Sequence, residues 1–355
     1  MDEPADRIRG VGLLSAHPSA AGDKLTPFAL LLAMRFRLPI LVAVLSGPLL
    51  LAMGACAGDD PGPIGLVPDT VRPQFDGTAA QALVERQVAF GPRIPGREGH
   101  AAQLAWMLAR LDSLADQVET RPFTHAHTQI PGLTLQLTNV VARFRPSATR
   151  RLLFLAHFDT RPFADQADTQ ADRALPVPGA NDGASGTAVL LQVARHLADQ
   201  PPSHDVGIDL LFTDGEDYGP TLADMLLGAR QYASEADPAA PPIYAVLLDL
   251  VGDADPSFPV ERYSENFAPD VVERVWSVAA DLGYGDTFPL TGGSFIQDDH
   301  LPLNQAGIPT VNIIDFDYGA GNGLWHTPDD LPIHTRASTL EMVGEVVLEL
   351  IYAGG

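Results

Sequence analysis

The chain predicts an α/β fold: one domain on a central, twisted, mostly parallel but mixed β-sheet, with helices on both faces. Two observations lead there. From about residue 76 onward, short apolar runs of strand length alternate with segments whose apolar residues recur at helical spacing. Several of those runs, such as LLFLA and AVLL, show no polar alternation, as expected of strands buried on both faces. No internal repeat and no second domain is visible. The composition agrees, with 46% hydrophobic and 19% charged residues in a chain of 355.

The first 75 residues read as delivery rather than fold. Residues 38–55, LPILVAVLSGPLLLAMGA, are apolar and follow Arg35 and Arg37, and the small residues Gly54 and Ala55 precede Cys56. A short positive segment, an apolar core and a small-residue cleavage site describe an export signal. The cysteine directly after it resembles the lipobox of bacterial lipoproteins, with Met53 where leucine is usual. That resemblance implies export to a bacterial cell envelope and a lipid anchor on Cys56. An uncleaved membrane anchor is the alternative, because the run approaches the ~20 residues that span a bilayer. Met34 is the natural start of this signal. Residues 1–33 then read as an upstream extension, 34–56 as the signal, and the Gly-, Pro- and Asp-rich 57–75 as a tether, leaving 76–355 for the catalytic domain.

Within that domain, residues 78–90 and 98–118 have helical spacing, separated by the Gly/Pro loop FGPRIPGREGH. Asn139–Phe144 and Arg151–His157 read as neighbouring strands across a Pro-containing turn. A helix is expected over Gly183–Asp199, with Val189, Leu190, Val193 and Leu197 on its apolar face. Asp209–Phe212 and Tyr244–Leu250 read as strands, about 222–234, 268–282 and 336–353 as helices, and Thr310–Ile314 as the last strand.

The polar residues at the strand ends carry the functional argument. In open α/β sheets ligands bind beyond the carboxyl ends of the strands. His157 and Asp159 end LLFLAHFD, Asp214, Glu216 and Asp217 end LLFTDGED, and Asp249 closes AVLLD. Asp182 lies in the loop PGANDGASG, and His326 in a loop after the last strand. Each alone fits a helix cap or a satisfied polar group. Together they deliver histidine and carboxylate to one sheet edge, the donor set that zinc takes. Cys56 is the one cysteine, so an intrachain disulfide and a cysteine-based zinc site are both excluded. Two zinc ions about 4 Å apart need a shared carboxylate, and Asp182, in a glycine-rich turn, is placed to bridge. The formal net charge of −23 excludes nucleic acid, whose phosphates call for lysine and arginine.

The segments AHFDTRP, PGANDGASG, FTDGED, LLDLVGDADPSFP, QDDHLPL and LWHTPDD resemble, in order and spacing, the co-catalytic zinc aminopeptidase family, a zinc exopeptidase fold of the phosphorylase/hydrolase-like kind. They are closest to its glutaminyl cyclase branch. The resemblance runs from about residue 76 to the C-terminus. It implies that His157 and Asp249 hold a first zinc, Asp217 and His326 a second, and that Asp182 bridges. It makes Glu216 the general acid/base and puts Asp159 behind a metal ligand. The usual Glu-Glu pair is here Glu216-Asp217, one methylene shorter. Peptide or protein N-termini are the implied substrates, taken by a monomer that touches membrane only through its lipid anchor.

The family's two activities use these parts differently. A peptidase uses two zinc ions and Glu216 to activate water against the first peptide bond. A cyclase uses one zinc, on Asp182, Asp217 and His326, to polarise the side-chain amide of an N-terminal glutamine, which the substrate's own α-amine attacks. Phe295-Ile296-Gln297-Asp298-Asp299-His300 resembles the cyclase loop whose first aspartate pairs with the strand-end carboxylate, here Asp249, and Trp325 before His326 matches the cyclase pocket. That resemblance puts Phe295, Ile296 and Trp325 along the substrate and Asp249 and Asp298 with Glu216 in catalysis. Asp298 and Asp299 also fit a plain helix cap, Trp325 simple loop packing, and His300 a structural hydrogen bond. A cyclase, an aminopeptidase and a non-catalytic zinc-binding lipoprotein are all carried forward. Arg93–Arg97 is a family landmark without a derivable chemical role, and Asp329 and Asp330 read as turn or supporting residues.

Overall fold

A computed structural model describes residues 72–355. The export signal, Cys56 and most of the tether lie outside the described residues. Six strands form one sheet in the order β1-β2-β4-β3-β5-β6. β3 (Arg151–His157), β4 (Gly207–Thr213), β5 (Ala245–Asp249) and β6 (Thr310–Ile314) run parallel. β2 (Thr134–Phe144) is antiparallel to β4 and to the edge strand β1 (Gln117–Ala126).

The pleat sends alternate residues of β3 to opposite faces. Leu152, Phe154 and Ala156 join a core formed with α1 (Gly77–Val88), α2 (Glu98–Asp112), α3 (Ala184–Asp199), α6 (Pro269–Asp281) and α8 (Ala337–Tyr352). Leu153 and Leu155 face α4 (Leu227–Glu235) and α7 (His300–Gln305). A short α5 (Arg262–Phe267) precedes α6. Among the described residues no helix is long and apolar enough to cross a membrane.

Three expectations are corrected. The helix expected over 98–118 stops at Asp112, and Gln117–Ala126 forms β1. Pro122 hides this strand from propensity, yet a strand lacking one ladder donor is tolerated at a sheet edge. β2 begins at Thr134, not Asn139. Its first half alternates buried and exposed residues beside β1 alone, and only Val140–Phe144 also pairs with β4 and is apolar apart from Arg143. The helix expected near 222 begins at Leu227. Leu226 has a left-handed φ of 57°, and its N–H bonds the Glu216 carbonyl, so this segment braces the turn after β4 rather than extending α4.

Candidate active site

Parallel strands place their carboxyl ends on one edge, and the site is assembled there. His157 closes β3 and Asp249 closes β5. Asp182 sits just ahead of α3, in a loop that presses onto the His157 ring. Gly183, with φ of 86°, allows this: a Cβ there would stand 2.8 Å from the Asp159 carbonyl and 2.9 Å from the ring. The turn after β4 brings Glu216 and Asp217, and the loop after β6 brings His326 in a left-handed conformation with φ of 54°.

The candidate donor groups converge as two sets. His157 Nε2 is 3.2 Å from Asp182 Oδ1 and 3.2 Å from Asp249 Oδ1. His326 Nε2 is 3.6 Å from Asp182 Oδ2 and 3.3 Å from Asp217 Oδ1. Asp182 thus offers one oxygen to each side. In each set of three, the donor atoms lie within 4.8 Å of one another, and all the residues are buried but Asp249, which is partly so. Buried carboxylates need a compensating positive charge. Burial opposes protonation of His157, yet Asp159, Asp182 and Asp249 hold it well above its ordinary range. Burial likewise opposes it at His326, which Asp217 and Asp165 push up to about 9. Asp217 Oδ2 is buried without a hydrogen-bond partner. Two imidazoles, a shared carboxylate and an orphaned oxygen fit a divalent metal of the zinc type.

Asp159 is fully buried and accepts the backbone N–H groups of Glu216 at 3.0 Å and Asp217 at 3.2 Å. It thereby sets the turn that carries both carboxylates, and its own oxygen is 3.6 Å from His157 Nδ1. Glu216, Asp298 and Asp299 form a third buried group, with oxygens within 4.8 Å of one another. Burial, together with the charges of Asp217, Asp298 and Asp299, raises Glu216 well above the usual carboxylate range despite His157. Burial and Asp249 do the same to Asp298, and burial lifts Asp299 to about 7. Asp298 therefore faces Asp249 through charge, while its Oδ2 accepts from the Asn312 amide at 2.6 Å. Asp299 stands at the start of α7 with no side-chain capping bond; its oxygen accepts from the Thr213 hydroxyl at 2.5 Å.

Beside His326 opens a cavity of about 470 Å³ lined by Trp325, Phe295, Ile296, Phe316, Leu222, Met225, Tyr263, Gln297, Arg161 and Asp165. Trp325 stacks on His326 with ring centroids 3.7 Å apart and meets Phe316 edge-on at 4.9 Å. Phe295 is 56% exposed, an apolar side chain left open to a ligand.

Two residues singled out in the sequence do not join. Asp214 turns away to His100 Nε2 at 2.8 Å and the Thr138 N–H at 2.6 Å. His300 is buried against Glu261, 2.9 Å away. Arg93 gains a role: fully buried, it donates to the carbonyls of Phe158, Pro178 and Gly179, holding the loop that carries Asp182. Asp330 holds the same loop by accepting from the N–H groups of Asn181 at 2.8 Å and Asp182 at 3.1 Å. Sequence reasoning missed Arg161 and Asp165, whose side chains meet Asp217 and His326. Both are in the same AHFDTRPFAD stretch as His157, but in a loop that has no periodicity to flag them.

Residues 139–351 match peptidase family M28. The chain belongs to that family. Among solved structures, the glutaminyl cyclase of Bacteroides thetaiotaomicron bound to N-acetylhistamine is 37% identical, covers 79% of this chain and 98% of its own, and superposes with a TM-score of 0.75. A Zn-dependent exopeptidase from Parabacteroides distasonis is 34% identical, covers 79% and 99%, and has a TM-score of 0.75. The glutaminyl-peptide cyclotransferase of Boiga irregularis is 27% identical over 300 residues, 74% of this chain and 78% of that one.

Proposed function

We propose that this M28 member is a zinc-dependent glutaminyl-peptide cyclotransferase, which converts the N-terminal glutamine of peptides or proteins to pyroglutamate with release of ammonia. The observation that carries it is the buried carboxylate group Glu216, Asp298 and Asp299, standing beside an apolar pocket that holds Trp325, Phe295 and Ile296. A reaction whose nucleophile is already in the substrate needs a proton relay and an apolar slot more than an activated water.

Asp182, Asp217 and His326 would hold the zinc ion, which when bound polarises the γ-carbonyl of the glutamine. Trp325, Phe295 and Ile296 pack the substrate side chain and exclude water. The α-nitrogen forms the new bond to the amide carbon, and the bond to the amide nitrogen breaks. Glu216, which burial raises above the usual carboxylate range, takes as the carboxylate the proton of the α-amine and returns it to the leaving ammonia. Asp298 and Asp249 share the charge behind it.

The second reading is a metallo-aminopeptidase. It is favoured by the complete set His157, Asp182 and Asp249, which would serve a second ion. A paired assay on purified, zinc-supplied protein separates the two. One arm takes a Gln-initiated peptide, scored for ammonia and pyroglutamate, and the other takes Leu- and Ala-initiated peptides, scored for freed amino acid. Ammonia without cleavage is the expected result. Freed amino acid would replace the cyclase with the peptidase.

For location we propose export to the bacterial envelope, with lipid on Cys56, supported by the apolar run and Gly54-Ala55-Cys56. Radiolabelled palmitate that enters the wild type and not Cys56→Ser is the expected outcome; equal labelling would end that reading.

A further inference from the structure

A guanidinium stands against one metal position and not the other. Arg161 Nη1 is 2.7 Å from Asp217 Oδ1, and its Nε and Nη2 fork onto the two oxygens of Asp165 at 2.9 Å each. Asp165 Oδ1 is in turn 3.0 Å from His326 Nδ1. Asp217 and His326 are therefore tied together from behind by one cation and one anion. Among the described residues no arginine or lysine forms an ion pair with Asp182 or Asp249. The Arg161 side chain is only 6% exposed, and burying a guanidinium is costly unless its donors are satisfied. Gly219 leaves it the space: a Cβ at that position would lie 2.8 Å from Nη1.

We propose that Arg161 is a positioning residue for the metal position of Asp182, Asp217 and His326, acting on both Asp217 and, through Asp165, His326. The argument rests on the zinc reading above. Arg161 occupies Asp217 Oδ1 and leaves Oδ2, buried and without a partner, as the oxygen free to ligate. Asp165, turned by the same fork, accepts from His326 Nδ1–H and leaves the Nε2 lone pair toward the ion. An aspartate is one methylene shorter than a glutamate and has less room to adjust, so a planar two-carboxylate clamp is the suitable support.

The test compares wild type, Arg161→Met and Asp165→Asn as full chains. Zinc affinity is measured by competition with a chromophoric chelator, ligand geometry by the absorption bands of the cobalt-substituted protein, and fold by thermal unfolding without metal. Each variant is expected to lose ten- to a hundredfold in zinc affinity, about what a lost ligand-orienting contact costs, and to shift the cobalt bands. Asp165 is 37% exposed and its asparagine variant keeps one acceptor for Arg161, so it is expected to lower the metal-free melting temperature less than Arg161→Met, which separates positioning from folding if the latter is unstable. Unchanged or tighter zinc binding in Asp165→Asn would overturn the proposal. A wild-type chain that takes up no zinc would instead overturn the zinc reading, and this role with it, before any variant is compared.

Discussion

His157 and His326 face the same carboxylate, Asp182, from opposite sides, yet they are held by different means. His157 ends a strand paired on both sides, and its Nδ1 makes no hydrogen bond, the Asp159 oxygen being 3.6 Å away. His326 sits in a loop, with left-handed backbone, Trp325 stacked on its ring and Nδ1 3.0 Å from Asp165. Backbone register places the first, and side-chain partners place the second. The half of the site that borders the apolar pocket is therefore the half that neighbouring side chains can tune.

The largest expected effect tests that asymmetry directly. If one ion on the His326 side serves a cyclase, His326→Ala removes zinc and lowers ammonia release about a thousandfold, since Lewis-acid polarisation is worth several kcal/mol. His157→Ala keeps one zinc and most of its affinity. Metal analysis and steady-state kinetics on the pair read both quantities. Equal loss of metal and rate in the two variants breaks the comparison and favours a two-metal peptidase.

Next in size is Glu216→Gln, expected to lower turnover by about 10²–10⁴, the usual worth of a general acid/base, with zinc content unchanged. Retained activity would move the proton-transfer role to Asp298 or Asp299.

The same contrast decides what was legible in the sequence. His157, Glu216, Asp217 and Asp249 stand out because they end or directly follow apolar runs, and parallel strands carry such residues to one edge. The four parallel strands were visible for the same reason. Strand β1 was not, because Pro122 and the helical spacing running up to residue 118 outweighed a weak alternation. Arg161, Asp165 and Arg93 were not assigned roles because their partners lie in loops distant in sequence: Asp217 is 56 residues from Arg161, and the Gly179 carbonyl 86 from Arg93. Loops carry no period from which such pairs can be inferred.

Arg93 marks the structural counterpart of the Arg161 clamp, because it supports the shared Asp182 from beneath. Arg93→Met leaves the buried Pro178 carbonyl without its donor and takes one donor each from those of Phe158 and Gly179, which keep the Gln103 amide and the Ala184 N–H. At ~1–3 kcal/mol for the unsatisfied group and ~0.5–1.5 kcal/mol for each of the two lost hydrogen bonds, the expected loss is about 3 kcal/mol in urea unfolding. A loss below ~1 kcal/mol would mean the loop is held by Asp330 alone.

The smallest effect concerns the pocket loop, the part of the His326 side farthest from the metal ligands. Glu261 accepts from the N–H groups of Tyr263 at 2.9 Å, Ser264 at 2.6 Å and Ile296 at 3.0 Å, and stands 2.9 Å from His300. It joins the start of α5 to the loop bearing Phe295 and Ile296. Burial opposes its ionisation, but His300 and the N–H groups outweigh it and hold the carboxyl down to about 2, against an ordinary 4.5. The folded value lies below the unfolded one, so this stabilisation is full above about pH 4.5 and is lost as pH falls toward 2. A shift of that size corresponds to roughly 3 kcal/mol, or about 2 once solvent at the pocket mouth is allowed for. Glu261→Gln should therefore be less stable than wild type by about 2 kcal/mol at pH 7, with the gap narrowing toward pH 3. It should also raise KM for a Gln-initiated peptide more than it lowers kcat, because Ile296 lines the cavity proposed for substrate and lies off the proposed proton path. A gap that stays constant with pH would assign the contact to packing rather than to charge.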